Sequence, residues 1–257
     1  MVIDNANGVT SRDMKKVRID RLIVDRGLAP TRQKAQALIM AGCVLVDDVP
    51  ATKPGQLVGP AASVRVRGGE NPYVSRGGAK LAAALKEFAL DAEGRICMDV
   101  GASTGGFTDV LLKAGAAKIY AIDVGYGQLD QSVARDERVV VLDRQNIRSL
   151  KKGRIAEAIE VAVVDVSFIS LAIVLPALDL FLAKGAAVIA LIKPQFEVGR
   201  ELVGKGGIVR DPASHDLAVE RVKAAGTGLG WRFEGVMESP IKGAKGNREF
   251  LIRFIKP

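Results

Sequence analysis

The sequence has very few of the residues on which metal sites and disulfide frameworks depend. Its 257 residues include one histidine, His215, and two cysteines, Cys43 and Cys97. Both cysteines lie within apolar runs, and no Cys or His pair has the spacing of zinc ligands. Two cysteines cannot build a disulfide framework, so a reducing, cytoplasmic environment fits best, and we expect no metal site.

Long apolar segments are also missing. The longest uncharged, largely apolar run, residues 166–178, contains Pro176 and has about 13 residues, whereas a membrane-spanning helix needs about 20. The first residues lack the apolar core of a signal peptide, and we expect residues 1–14 to form a flexible tail. Stable insertion into a membrane is therefore not expected.

The sequence does contain an excess of positive charge, with 37 Lys and Arg against 29 Asp and Glu, a net charge of +8. Part of it is concentrated in residues 15–34, which contain seven basic residues and two acidic ones. Many basic proteins bind no polyanion, so the charge alone identifies nothing. It does make nucleic acid the first partner to consider.

Residues 15–67 have the pattern of a small α/β module. Gly27 is suited to end a first basic helix, Thr31 to begin a second one, and Gly42 to close it, after which short strands follow. The run RIDRLIVDRGLAPTRQKAQALIMAGCVLVDD resembles the S4 RNA-binding domain. An isolated basic helix would more often only solvate a surface, but the whole pattern favours RNA. The RNA-binding positions that this resemblance implies are Arg18, Arg21, Arg26, Arg32 and Lys34.

A change in composition marks residues 68–75, which we assign to a linker, and residues 76–257 are predicted to form a larger α/β domain. Ser75 is expected near the start of its first helix. Seven short apolar runs predict strands, with helices between the earlier ones. Only a Gly- and Lys-rich loop separates the last two strands, so six strands are expected to be parallel and the last one antiparallel.

The first of these strands ends in the glycine-rich turn DVGASTGGFT, where backbone can approach a ligand closely. Asp123 ends the second strand, where a carboxylate accepts the ribose hydroxyls of a nucleoside cofactor, and Asp143 ends the third, where it would face the adenine. NAD is a weaker alternative, because its fingerprint needs glycine where Ser103 stands. The sequence thus favours a nucleoside cofactor other than a dinucleotide.

This pattern is similar to the class I S-adenosylmethionine methyltransferases, which implies a seven-stranded Rossmann-like sheet and S-adenosylmethionine as cofactor. The turn DVGASTGGFT corresponds to that family's cofactor loop. The cofactor-binding residues that the resemblance implies are Asp99, Gly101, Ser103, Thr104, Gly105, Gly106, Phe107, Asp123 and Asp143.

Four separated segments, SRGGAKL, VVDVSF, LIKPQFE and NREFLIRF, resemble the FtsJ group of ribose 2'-O-methyltransferases. With an S4 module in front, the chain from about residue 15 onward resembles the TlyA family, often labelled hemolysin A. Characterised members methylate cytidine 2'-oxygens of ribosomal RNA, so this resemblance implies 16S or 23S rRNA, or both, as substrate. The catalytic tetrad that it implies is Lys80, Asp165, Lys193 and Glu249.

These residue types suit the chemistry. A 2'-hydroxyl is a poor nucleophile, so the enzyme must align it and remove one proton, which Lys193 is expected to accept. Burial and the charge of Lys80 would favour a neutral Lys193, whereas Asp165 and Glu249 would favour the charged form, and the sequence leaves this balance open. Taken singly, each of the four would more often form an ordinary surface ion pair. Their order in four family-like segments favours catalysis.

Three functions remain possible: an RNA 2'-O-methyltransferase, which we favour, a non-catalytic RNA-binding or ribosome-assembly factor, and a membrane-damaging hemolysin. Base methylation is disfavoured, because the sequence lacks an Asn/Asp-Pro-Pro-aromatic segment and Cys97 lies inside a strand. A near match to a phosphate loop at residues 199–206 lacks the hydroxyl for magnesium, and we interpret residues 199–211 as a mobile loop near the active site. His215 is expected to be a cap or surface residue.

Overall fold

The computed structural model describes residues 16–40, 42–66, 72–243 and 245–257. The chain forms two compact units that divide between residues 70 and 71. In the smaller unit, β3, β2 and β5 form an antiparallel sheet, and β1 pairs with β4. The elements of this unit are β1 (Val17–Arg18), α1 (Ile19–Asp25), α2 (Arg32–Met40), β2 (Val44–Val46), β3 (Val49–Pro50), β4 (Leu57–Val58) and β5 (Val64–Val66).

The two helices of the smaller unit end and begin where the sequence predicts. Gly27 has a φ of +69°, and its N–H donates to the carbonyl of Val24 at 2.9 Å, which terminates α1. The Thr31 hydroxyl accepts a hydrogen bond from the Lys34 N–H at 3.2 Å, which caps α2. Gly42 has a φ of +69° and follows the last turn of α2.

The larger unit contains one seven-stranded sheet with helices packed against it. Its helices are α3 (Gly77–Glu87), α4 (Gly106–Lys113), α5 (Gln131–Ala134), α6 (Leu171–Asp179), α7 (Pro194–Glu197) and α8 (Pro212–Gly228). Its strands are β6 (Ile96–Val100), β7 (Lys118–Ile122), β8 (Val139–Leu142), β9 (Ile159–Val164), β10 (Leu182–Ile192), β11 (Arg232–Glu238) and β12 (Phe250–Ile255).

The strand order of this sheet is β11-β12-β10-β9-β6-β7-β8. Strands β6 to β10 are parallel, while β12 is antiparallel to both β10 and β11. Because β12 is antiparallel to both of its neighbours, β11 has the same direction as β6 to β10. The predicted six parallel strands and one antiparallel strand are therefore confirmed, with the last strand, β12, inserted between β10 and β11. As a result, the carboxyl ends of β6 to β10 and the start of β12 lie at the same edge of the sheet.

The sheet separates two apolar layers. Leu81, Leu111 and Ile189 belong to the layer on one face, and Leu175 and Phe254 to the layer on the other. Strand β6 lies in the interior of the sheet, between β7 and β9, so the turn that follows it is held from both sides. Of the helices within the described ranges, none has the length and apolar character needed to cross a membrane.

Candidate active site

The turn after β6 requires glycine for steric reasons. Gly101 has a φ of +88°, and a Cβ at this position would overlap the carbonyl oxygen of Asp165. Gly105 has a φ of +89° and immediately precedes α4. A Cβ on Gly106 would overlap the hydroxyl of Ser75. The turn is therefore packed tightly against the end of β9 and the segment before α3.

A first cavity of about 290 Å³ lies against this turn. Of the residues that the sequence assigns to the cofactor, Gly101, Ser103, Thr104, Gly106 and Phe107 line it. Ser75, which the sequence places near the start of α3, also lines it. The lining residues to which the sequence assigned no role are Arg76, Gly77, Ala102, Ile241 and Lys242.

Ser75 lies near the start of α3, as the sequence predicts, but it does not cap this helix. The N-cap of α3 is Arg76, and no side chain caps this helix. The Ser75 hydroxyl instead occupies the space that a Cβ on Gly106 would need, and Ser75 lines the first cavity. The SRGG segment, residues 75–78, therefore packs the start of α3 against the start of α4 beside the cavity.

Asp99 is predicted to bind the cofactor, but it lies beneath the turn rather than in the wall of the cavity. Its side chain is 0% exposed, and its Oδ2 accepts a hydrogen bond from the Thr108 hydroxyl at 2.6 Å. Burial raises the pKa of this carboxyl to about 7, against the lowering effect of the Thr108 hydrogen bond. A direct contact with a cofactor stays a prediction.

Asp123 and Asp143 follow β7 and β8 as predicted, and both bind backbone N–H groups. The carboxylate of Asp123 accepts hydrogen bonds from Ser103 N–H at 2.8 Å and from Gly125 N–H at 2.7 Å. Asp143 accepts one from Gly127 N–H at 2.8 Å. Asp123 therefore connects the turn after β6 to the turn after β7, beside the first cavity, with carboxylate lone pairs left to accept further hydrogen bonds.

The four residues predicted as a catalytic tetrad form two ion pairs. Nζ of Lys80 lies 2.5 Å from Oε2 of Glu249, and Nζ of Lys193 lies 2.6 Å from Oδ1 of Asp165. The lysine side chains are only 10% and 12% exposed, respectively. The hydrogen bond of the Lys193 ammonium goes to the Ser167 hydroxyl, at 2.7 Å.

The topology explains how residues far apart in sequence meet. Asp165 directly follows β9, and Lys193 directly follows β10, its parallel neighbour. Glu249 directly precedes β12, which is antiparallel to β10, so its start lies at the same edge. Lys80 is in the first turn of α3 and reaches Glu249 from the side of the helix layer.

A second cavity, of about 460 Å³, adjoins the tetrad. Lys193 and Glu249 line the second cavity, Asp165 lines the first, and Lys80 lines both. The two ion pairs therefore lie at the border between the cavities. This is the convergence that a group transfer from one cavity to the other requires.

Two aromatic side chains line the second cavity beside Lys193. Phe168 has a φ of +66° and is 90% exposed, and its ring centroid lies 5.1 Å from that of Phe196. The left-handed backbone at Phe168 directs a large apolar ring outwards, against its solvation preference. The sequence did not single out these residues, although both lie in the VVDVSF and LIKPQFE segments.

Glu197 ties together the loops that carry the second ion pair. Its buried carboxylate accepts hydrogen bonds from the Ser170 hydroxyl at 2.6 Å and from the Leu171 N–H at 2.9 Å. Burial raises the pKa of this carboxyl. The connection joins the loop after β9, which carries Asp165, to the helix that follows Lys193.

In the smaller unit, the basic side chains predicted to bind RNA are exposed, and two of them converge on one acid. Asp20 is 0% exposed and accepts hydrogen bonds from Arg18 at 2.9 and 3.1 Å, and from Arg32 at 3.0 Å. Arg18 above all holds the pKa of Asp20 well below its usual range. Asp20 thus fixes the direction of two half-exposed guanidinium groups.

The other three predicted RNA-binding residues have different surroundings. Arg26 donates to the carbonyls of Pro60 and Ala62, at 2.6 and 2.8 Å. Arg21 lies 3.7 Å from Asp25 as an exposed ion pair, and Lys34 is also exposed.

One interpretation from the sequence is wrong. His215 is neither a cap nor a surface residue, because it is 3% exposed and Asp211 caps α8 by accepting from Ser214 N–H at 3.2 Å.

Cys97 is fully buried in β6, and burial raises the pKa of its thiol to about 12. In the part of the chain that the structure describes, no cluster of three or more His, Cys, Asp or Glu side chains is suited to a metal ion.

Comparison with known families gives two matches along the chain. The profile of the FtsJ-like methyltransferases matches residues 73–256, and that of the S4 domain matches residues 17–64. The chain is similar to the 16S/23S rRNA (cytidine-2'-O)-methyltransferase TlyA of Mycobacterium tuberculosis. The two are 47% identical over 239 residues, which cover 93% of this chain and 89% of the relative.

Two solved structures illustrate the range of structural similarity. A protein described as a hemolysin from Streptococcus thermophilus has 42% identity and a TM-score of 0.75, covering 95% of this chain and 89% of that one. The N-methyltransferase NodS of Bradyrhizobium japonicum, in complex with S-adenosyl-L-homocysteine, has 15% identity and a TM-score of 0.50, covering 73% and 89%. The second similarity, at this low identity, concerns the fold alone.

Proposed function

We propose a substrate and a mechanism from one premise: this chain belongs to the TlyA family of FtsJ-like methyltransferases, S-adenosylmethionine-dependent enzymes, and carries an S4 domain in front. The proposed reaction is methylation of the 2'-hydroxyl of cytidine in ribosomal RNA, in the cytoplasm. Residues 15–67 would bind RNA, residues 68–75 would link the domains and residues 76–257 would catalyse. The observation that carries the proposal is the pair of lysine–carboxylate contacts at the border of two cavities.

The first cavity fits the cofactor. The glycines of the turn after β6 let backbone approach a ligand, and the Asp123 carboxylate can accept hydrogen bonds from ribose hydroxyls. S-adenosylmethionine, when bound, would supply a methyl group already activated by its sulfonium, and the carbon–sulfur bond that breaks would leave a neutral thioether. The residues proposed to hold it are Asp99, Gly101, Ser103, Thr104, Gly105, Gly106, Phe107, Asp123 and Asp143.

Lys193 is proposed to accept the proton that the 2'-hydroxyl loses as its oxygen forms the new bond to carbon. In its neutral form the amine has one lone pair, and Asp165 and Ser167 fix the direction in which it points. The same two groups stabilise the ammonium that results. Lys80, held by Glu249 at the shared wall, orients the ribose between the two cavities.

The second cavity suits a nucleotide. Phe168 presents an exposed ring beside Phe196, and an aromatic face of this kind can stack on a base that has left its helix. Lys245 and Lys193 also line this cavity and favour an anionic ligand. The proposed target is therefore an unpaired or flipped nucleotide of a structured RNA.

The experiment that tests the function incubates the purified protein with small and large ribosomal subunits from a strain that lacks its gene. The donor is S-adenosylmethionine labelled in its methyl group. We expect label in 2'-O-methylcytidine, detected by nucleoside mass spectrometry after complete digestion. Label in the base of any nucleotide contradicts the proposed reaction.

The two alternatives give different results in the same experiment. A non-catalytic ribosome-assembly factor would bind subunits without transferring label, and deleting its gene would leave 2'-O-methylation of the cell's ribosomal RNA unchanged. A hemolysin would release dye from liposomes, which we do not expect of the purified protein. Comparing the two subunits as substrates also decides whether one or both are modified.

A further inference from the structure

The loop of residues 199–211 forms one wall of the second cavity. Val203 and Gly207 line this cavity together with Lys193 and Glu249. The sequence predicts that the loop is mobile. In the structure, however, its last third is anchored, because Val209 is 2% exposed and both of its backbone polar groups are bound by side chains from elsewhere.

Asn247 provides the first anchor. Its side-chain oxygen accepts a hydrogen bond from Val209 N–H at 2.9 Å, and its amide group donates to the carbonyl of Gly207 at 2.8 Å. Because one amide both accepts and donates, it binds the loop as a neighbouring β-strand would. Asn247 is 2% exposed, and its bond from Val209 N–H is buried and so shielded from competing water, while the bond to Gly207 is part-buried.

His215 provides the second anchor, from the other side of the same residue. Its Nε2 lies 3.0 Å from the carbonyl oxygen of Val209. A carbonyl can only accept, so Nε2 carries the proton and donates. The ring is 3% exposed and packs against Phe250, with centroids 5.8 Å apart. No hydrogen-bond partner of Nδ1 occurs among the described residues.

The position of Asn247 relates this anchor to the tetrad. Asn247 lies two residues before Glu249 and itself lines the second cavity. Its amide donates a hydrogen bond to Gly207, which also lines this cavity. One side chain therefore connects the loop wall of the cavity to the segment before β12 that contains Glu249. Neither Asn247, His215 nor the loop lines the first cavity.

We propose that Asn247 is a positioning residue, which, with His215, holds loop 199–211 as the wall against which the target nucleotide is bound. The nature of that nucleotide rests on the function proposed above. The anchor itself is a property of the loop that does not depend on the substrate. Releasing the loop should weaken binding of RNA and leave binding of the cofactor intact.

The test uses the full-length protein with Asn247→Ala and His215→Ala. In both variants we expect the KM for ribosomal subunits to rise about 10-fold, with kcat within about 3-fold and the Kd for S-adenosylmethionine within about 2-fold of wild type. His215→Gln, whose amide can still donate to Val209, should restore the wild-type KM. The double variant should show a less than additive effect, since both side chains anchor one residue.

A second readout needs no substrate. Hydrogen exchange should show that the Val209 amide loses protection in Asn247→Ala, and trypsin should cut faster at Lys205 and Arg210, which are exposed. The matched control is Trp231→Phe, which removes another side-chain hydrogen bond, a part-buried one from the indole to Asp179 at 2.8 Å, at the opposite edge of the sheet. It should change neither the KM nor the exchange of Val209.

The outcomes separate this inference from the proposed function. If wild-type protein transfers no methyl group to ribosomal subunits, the function is wrong, while the exchange and trypsin measurements still decide whether Asn247 anchors the loop. If Val209 stays protected in Asn247→Ala, the anchor is wrong. If the loop is released but the KM stays within 2-fold of wild type, or if Trp231→Phe raises the KM equally, the positioning role is overturned.

Discussion

Asp20 and Asp99 are both closed off from solvent, one in each unit of the chain, but their pKa values move in opposite directions. Asp20 lies near the surface under two half-exposed arginines and accepts hydrogen bonds from Arg18, Arg32 and Gln36, so its pKa falls well below the usual range. Asp99 lies in β6, an interior strand of the sheet, where it accepts a hydrogen bond from the Thr108 hydroxyl, and burial raises its pKa to about 7. Burial alone therefore does not decide the charge of a carboxyl; the cations around it do.

The same contrast separates the basic side chains of the two units. Arg18 and Arg32 remain 47% and 59% exposed while they bind Asp20, so their remaining donors are free to meet phosphates. Lys80 and Lys193 are only 10% and 12% exposed, and each binds its own carboxylate. The first arrangement suits the proposed capture of a polyanion, and the second suits the proposed reaction between the two cavities.

The largest expected effect is that of Lys193→Ala. Removing the proposed proton acceptor should lower methyl transfer by at least about 1000-fold, within the range of general acid–base catalysis. The Kd for S-adenosylmethionine, measured by calorimetry, should stay within about 3-fold of wild type, because Lys193 does not line the first cavity.

Lys184→Ala is the matched control, since Lys184 is an exposed lysine near the start of the same strand, β10. It should retain full activity. Near-normal turnover in purified Lys193→Ala would show that Lys193 is not the proton acceptor. The two units would then differ in the burial of their ion pairs, but that difference would not be tied to catalysis.

An intermediate effect is expected of Asp20→Asn in the smaller unit. The substitution removes the charge that fixes two guanidinium groups, so RNA affinity should fall about 10-fold, while turnover of bound RNA stays unchanged. The measurement compares the KM for ribosomal subunits with kcat, and circular dichroism checks that the unit is folded.

Asp25→Asn provides the comparison, because Asp25 pairs with Arg21 at 3.7 Å with both side chains largely exposed. An exposed pair of this kind contributes little, so this variant should be close to wild type. Equal losses in the two variants would mean that net charge, rather than the fixed direction of Arg18 and Arg32, determines RNA binding.

The local pattern of the sequence predicts the elements and the tetrad, because both depend on short segments. Gly27 and Thr31 mark the ends of helices through their own backbone and hydroxyl chemistry. Lys193 and Asp165 each follow an apolar strand, and parallel neighbouring strands bring their ends together. The convergence that the structure displays therefore follows from the strand order, which the family resemblance supplied.

The sequence could not predict interactions that depend on residues far apart along the chain. Asp20 has the helical surroundings of a solvated acid, and beside its near neighbour Arg18 it is bound by Arg32 and Gln36, twelve and sixteen positions later. Asn247 and His215 bind the same Val209 from positions 38 and 6 residues away, a pairing set by tertiary packing. The exposed ring of Phe168 follows from a left-handed backbone that no propensity favours.

The smallest expected effect is that of Asp99→Asn, and it concerns stability. Because the folded state raises the pKa of Asp99, the folded protein holds this proton more tightly than the unfolded chain, and the associated stability is lost as the pH rises towards and through 7. Between pH 6 and pH 8, this loss is about 1 kcal/mol, or a fall of about 2–4 °C in Tm. Asparagine carries no titrating proton and still accepts the hydrogen bond from Thr108, so the difference in Tm between variant and wild type should grow by that amount from pH 6 to pH 8. If the Tm of Asp99→Asn and the Tm of wild type instead change equally with pH, Asp99 is charged in the folded state. The proposed difference in pKa direction between Asp20 and Asp99 would then be wrong.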